Sequence, residues 1–277
     1  MDASAVAAFR SADPDRYLAT LYAPVGKRGA LQALFAFNAE IAGIRDRISQ
    51  PLPGEIRLQW WRDLIEAKDP ESASGHPVAS ALMAAIRENG LPRSAFANYL
   101  DARIFDLYDD PMPTRQDLEG YCGETAAAVI QIAAMILDAD AAPRHAELAG
   151  RAGCALAIAG LIRLLPLHRA RGQCYVPKDI LSAVGSSPEA LIAGAGKAEM
   201  RAVSAMNALA REHLSAFEAG APALPASLRP AFLPLALTGA YLKQVEGREE
   251  TALQEVLDVA AWRRHWMIFR RATSGWA

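Results

Sequence analysis

Two groups of side chains in this sequence have the types that chemistry needs. The first lies in the stretch FAFNAEIAGIRD, with an amide at Asn38, carboxylates at Glu40 and Asp46 and a guanidinium at Arg45. Carboxylate oxygens are what a hard cation such as Mg²⁺ takes as ligands. Two carboxylates on one helix share that task when they stand three or four positions apart. Glu40 and Asp46 are six apart, so on a helix they point in different directions. A residual pocket role and a solvated helix edge both stand as readings. The second group is Arg163, His168, Arg169, Arg171 and Tyr175. Its cations suit a diphosphate or another anion held without metal, and the same residues also describe a solvated basic loop. Cys174 lacks a nameable partner to orient a base, so a thiol nucleophile is not assigned.

The elements that position these groups read as helices, and no strand pattern is evident. Proline and glycine punctuate the chain every ~20–30 residues, the spacing of helices three to six turns long. Apolar residues at Leu31, Leu34, Phe35, Phe37, Ile41, Ile44 and Ile48 recur at steps of three and four, which predicts one amphipathic helix over 27–47. Further helices are expected over 53–67, 76–89, from Pro92 through Asp101 and Asp106, and over 114–137, 144–165, 188–219, 228–245 and 251–271. Pro53 suits a helix start, Asn89-Gly90 a helix end, and Thr114-Arg-Gln-Asp117 a capped N-terminus. The proline-rich EAGAPALPASLRP is flanked by apolar helices and reads as a loop. The expectation is one all-α domain over 1–277, about 8–10 helices around a common core.

Composition narrows the class. With 277 residues, 52% of them hydrophobic, the chain can bury a sizeable core. A net charge of −2 and a pI near 6.2 give no global reason to expect nucleic acid as a partner. Cys122, Cys154 and Cys174 are odd in number, widely spaced and without a C-x-x-C pair. That pattern suggests neither a disulfide framework nor a zinc site, and fits a reducing, cytoplasmic compartment. The N-terminus lacks a basic segment followed by a long apolar one. The uncharged runs at 125–137 and 153–162 fall short of the ~20 residues that cross a bilayer, so the expected protein is soluble or at most peripheral to the inner membrane.

The segments RYLATLYAP, LFAFNAEIAGIRD, RLQWWRDLIEA, GHPVASAL, LEGYCGETAAAVIQI and RGQCYVPKDIL, in this order over 16–219, resemble the squalene and phytoene synthase family. The resemblance implies an isoprenoid synthase fold whose central cavity holds two prenyl diphosphates in active members. It also implies Mg²⁺ held by acidic motifs on two facing helices. The first such motif falls on Asn38, Glu40, Arg45 and Asp46 and is degraded. Counting back from Gly172-Gln-Cys-Tyr-Val-Pro177, the second falls where this chain has Gly160, Arg163, Leu164, Leu167 and His168, and only Arg163 keeps the family's residue. Leucine ligates nothing, and a neutral imidazole is a poor magnesium ligand. Tyr121 joins the candidate cavity residues, while Glu124 and Ile130 stand where the family keeps an arginine and a glycine, which narrows or reroutes a prenyl channel.

The lost motifs, with the wording AFNAE and WWRD, resemble the branch related to the mitochondrial complex I assembly factor. Two functions follow from the resemblance. One is a protein without condensation chemistry or cofactor that binds a prenyl or lipid ligand, or subunits of respiratory complex I. The other is an active Mg²⁺-dependent head-to-head prenyltransferase using farnesyl or geranylgeranyl diphosphate.

Three further clusters have plainer readings. One of Trp60 and Trp61 belongs to the core and the other is partly exposed. Asp101, Asp106, Asp109 and Asp110 read as an exposed acidic helix end. In WRRHWMIFRRATSGW, Trp262, Trp266 and Phe269 share a face flanked by arginines, which suits a membrane interface or a partner over 262–271; such stripes more often belong to the core.

Overall fold

Asp2 and Asp13 start the first two helices, Ala3–Ala12 and Pro14–Thr20. Each carboxylate accepts a backbone N–H three residues on, from Ala5 at 2.7 Å and from Arg16 at 3.0 Å. The same capping logic recurs at Thr114, which forms a reciprocal box with Asp117, and at Ser187, which accepts from the Ala190 N–H. The computed structural model describes residues 1–67 and 75–276, and among these every regular element is helical. Two compact units are formed, the first from 1–107, 128–147 and 224–234, the second from 108–127, 148–223 and 235–277.

The first unit is built on the Val25–Ala42 helix, which buries Leu31, Leu34, Phe35, Phe37 and Ile41 and packs along the Pro77–Asn89 helix. Phe37 meets Trp61, Phe96 and Tyr99, with ring centroids 4.9, 5.8 and 5.4 Å away. The helix expected over 27–47 ends at Ala42, and Arg45–Arg47 form a separate 3₁₀ turn. Gly43 follows the helix end, and a Cβ there would lie 3.2 Å from both the Arg47 guanidinium and the Ala39 carbonyl oxygen, a close approach that a side chain would crowd.

In the second unit the long Lys197–Gly220 helix buries Val203, Met206, Leu209, Leu214 and Phe217. Helix Arg115–Cys122 passes into a π-helical segment at Gly123–Ala127, and Gly153 of the Ala146–Arg163 helix lies against it. A Cβ on Gly153 would stand 2.4 Å from Ala127 backbone atoms.

Two expected helices are each divided. The one over 188–219 is cut by Gly194–Gly196, where Arg169 draws the carbonyls of Leu191 and Gly194 to its guanidinium. The one over 251–271 becomes Glu249–Gln254 and Ala261–Ser274. Between them Leu257 and Val259 are buried while Val256 and Asp258 are exposed, the alternation of an extended chain.

Candidate functional site

In the first unit the four residues of the opening motif separate. Asn38 turns into the core, 4% exposed, and its Oδ1 accepts from the Tyr99 hydroxyl at 3.0 Å. Glu40 stands at the helix edge with Oε2 3.5 Å from Nε2 of His76. His76 caps its own helix, its Nδ1 accepting from the Ala79 N–H, so the proton of the neutral ring lies on Nε2 and faces Glu40. Trp60 and Trp61 flank this pair, their ring centroids 5.2 and 5.4 Å from the imidazole. Burial raises the Glu40 carboxyl above its usual range, against the opposing pull of His76, Arg47 and Arg57. Arg45 reaches the Ile48 carbonyl at 3.5 Å and Asp46 is exposed on the 3₁₀ turn, so neither shares a helix face with Glu40.

One of the two tryptophans is core and the other partly exposed, as expected, and the core one is Trp61, at 4% against 41% for Trp60. The acidic cluster is a correction in part. Asp101 is exposed and pairs with Arg62, but Asp106 is buried, held by Arg103 at 2.9 Å.

In the second unit the helix Leu165–Ala170 ends in a Schellman turn. Gly172, at φ +77°, donates to the Arg169 carbonyl, and Gln173 to that of His168. The turn aims the next segment back along the helix, where Met112 donates to the Cys174 carbonyl and Lys178 to that of Met112. Tyr175 is thereby laid on His168, ring centroids 4.8 Å apart, with Tyr121 6.0 Å beyond. His168 is buried beside Ile162, Leu165, Val176, Val203 and Met206, around a cavity of about 10 Å³, room for roughly one water.

Arg163 lies over the Tyr241 ring at 4.9 Å and Arg171 is half-buried at the turn. Thus Tyr121, His168 and Tyr175 form one aromatic cluster, and Arg163 makes its contact elsewhere. The basic loop itself is a correction. Besides the carbonyls of Leu191 and Gly194, Arg169 binds those of Ile192 and Leu253, which makes it an internal clamp on two helix ends.

The sequence profile of the squalene/phytoene synthase family matches residues 9–266. The chain belongs to that family. Among curated proteins it resembles NADH dehydrogenase (ubiquinone) complex I, assembly factor 6, of Bos taurus, 28% identical over 93% of this chain and 80% of that protein. The human protein of the same name is 26% identical over 92% of this chain and 80% of its own length. A solved dehydrosqualene synthase superposes with a TM-score of 0.80, 17% identical, over 97% of this chain and 94% of that one. The fold is the isoprenoid synthase fold that the sequence resemblance implies.

Magnesium chemistry needs a carboxylate set that this family member does not present at the second motif. Arg163 is a cation, Leu164 and Leu167 are hydrocarbon, and His168 sits among apolar neighbours. Those residues do not fit a hard divalent cation. Among the described residues no group of three or more His, Cys, Asp or Glu is placed to hold a metal ion.

Sequence reasoning missed a polar cluster on the Arg115–Cys122 helix. Glu119 accepts from Arg115 Nε at 2.9 Å and lies 3.0 Å from Nε2 of the buried His213, while Arg115 also reaches Glu212. Cys122 and Cys154 meet in a hydrogen bond beside it. The spacing of Arg115, Glu119 and Cys122 at four and three places these residues on one helix face. His213 and Cys154 come from distant segments and carry no local signal.

Proposed function

We propose that this chain has kept the squalene/phytoene synthase fold, has lost metal-dependent condensation, and acts by binding, as a cytoplasmic factor in the assembly of respiratory complex I. One observation carries the reading. Where an active member would hold magnesium, this protein has Arg163 stacked on Tyr241 and His168 packed among Val176, Val203 and Met206. Relatives named as complex I assembly factors support the biological role. The ligand class is a prenyl or other lipid molecule whose anionic head would be met by Arg163 or Arg171.

Three measurements test this. Purified protein given farnesyl or geranylgeranyl diphosphate is expected to release no inorganic diphosphate at any Mg²⁺ concentration; metal-dependent release would establish an active prenyltransferase instead. A deletion strain is expected to contain less assembled complex I, and a normal amount would end the assembly reading. Farnesyl diphosphate binding, followed by calorimetry, is expected to weaken in Arg163→Ala and Arg171→Ala. Unchanged affinity removes these cations from the site.

A further inference from the structure

The helix Ala261–Ser274 is amphipathic in the wrong sense for a surface helix. Its inward contact is Ile268, 1% exposed, while Trp262, Trp266 and Phe269 are 74%, 58% and 45% exposed. At 100° per residue these three and Thr273 share one face, with Arg270 and Arg263 along one side and His265 on the other. The core stripe expected more often from such a pattern is therefore absent; the aromatic face looks outward. Exposing large aromatics is unfavourable in water, so a contiguous ridge of them marks a surface that meets something else.

What anchors the helix leaves that ridge free. Gly275 ends it at φ +70°, and Trp276 turns back to pack edge-on against Phe217, with ring centroids 5.3 Å apart. Arg263, Met267 and Arg271 recur every four residues on the adjoining face and line a cleft of about 250 Å³. Lys243, Leu235 and Trp276 also line it, and Glu218 is the one carboxylate of its lining against three cations. The helix as a whole carries four arginines and no acid, although the chain is net negative at −2.

We propose that this face docks on an anionic phospholipid bilayer. Trp262, Trp266 and Phe269 enter the interface between headgroups and acyl chains, and Arg263 and Arg270 meet lipid phosphates. Tryptophan suits that depth because its ring is apolar and its N–H remains within reach of polar groups. A single-sign row of cations beside it matches a surface of uniform negative charge. The proposal uses no part of the functional reading above.

The test uses the full chain and co-sedimentation with two kinds of vesicle, phosphatidylcholine alone and equimolar phosphatidylcholine with phosphatidylglycerol. Binding to the anionic vesicles is expected to exceed binding to the neutral ones by at least about tenfold, to fall as salt is added, and to shift tryptophan emission to the blue. Trp262→Ser and Trp266→Ser are each expected to weaken it by about tenfold, and Arg263→Gln and Arg270→Gln by about fivefold each. The arginine variants keep the test open should a tryptophan variant fold poorly.

Equal binding to both vesicles, or none, overturns the proposal. So does displacement by glycerol phosphate at matched ionic strength, which would mean a site for free phosphate. Lipid-free self-association that depends on Trp262 and Trp266, without vesicle binding, would assign the ridge to a second copy of the chain and also overturns it.

Discussion

Glu119 and His213 are 94 positions apart in sequence and 3.0 Å apart in space. Burial pushes the Glu119 carboxyl up, but the hydrogen bonds from Arg115 and His213 outweigh it and hold the group below its ordinary 4.5. A carboxyl held down in the folded state contributes stability above the ordinary value and loses it as pH falls through the folded one. Glu119→Gln should therefore flatten the loss of stability below 4.5 and, the pair being partly exposed, cost about 0.5–1 kcal/mol near neutrality. Urea unfolding at stepped pH reads both; an unchanged acid slope would refute the assignment.

Glu40 runs the other way. Burial raises its carboxyl and the opposing pull of His76, Arg47 and Arg57 only partly restores it, so ionised Glu40 opposes folding. Its contribution is complete below the ordinary 4.5 and is lost as pH rises through the raised value. Glu40→Gln is expected to be at least as stable as the parent at neutral pH, with the difference closing as pH falls toward 4.5. A variant clearly less stable at neutrality would mean that the contact with His76 outweighs desolvation.

How far the sequence was legible follows from how local each signal is. The Leu31 to Ile41 stripe and the Thr114 cap are readable because period and capping are properties of neighbours, and both elements form. Where that helix ends was not readable, because the apolar period runs on through Ile44 and Ile48 past the end at Ala42. The divided 188–219 helix is a longer-range case, since the side chain that takes its carbonyls is Arg169. At the candidate site, the residues at 163–168 lack the carboxylates that the family resemblance implies, while the Tyr175 contact with His168 and the Arg163 contact with Tyr241 needed the tertiary fold. The exposed ridge at Trp262 was legible as a face but not as an outward one, because period alone cannot say which side finds a partner.

Two glycines separate backbone crowding from side-chain crowding. A methyl on Gly153 meets Ala127 backbone atoms at 2.4 Å, which cannot rotate away. A methyl on Gly54 meets only the ends of Leu107 and Ile48, at 2.6 and 2.8 Å. Gly153→Ala should cost about 3 kcal/mol or more, and Gly54→Ala nearer 1 kcal/mol, part of it offset by alanine's better helix propensity. Denaturant midpoints of the two variants give the comparison. Equal losses would mean that the 127–153 contact relaxes as easily as a leucine tip.

Thiol chemistry gives the last test. The hydrogen bond with Cys122 lowers the Cys154 thiol, against the opposing effects of burial and of Glu119. Burial pushes Cys174 up to about 11, and its thiol donates to the Val176 carbonyl at 3.4 Å. At neutral pH only about one Cys174 in ten thousand is thiolate, and the thiolate is the reacting form. Cys154 is also the more accessible, 7% exposed against 2% for Cys174. Brief iodoacetamide treatment of the folded protein, followed by peptide mass spectrometry, should therefore label Cys154 ahead of Cys174. Cys122→Ser keeps a donor of similar size and should largely preserve that order, while Cys122→Ala removes the donor and should slow labelling of Cys154. Labelling of Cys154 that is indifferent to Cys122→Ala would show that the neighbouring thiol does not set its reactivity.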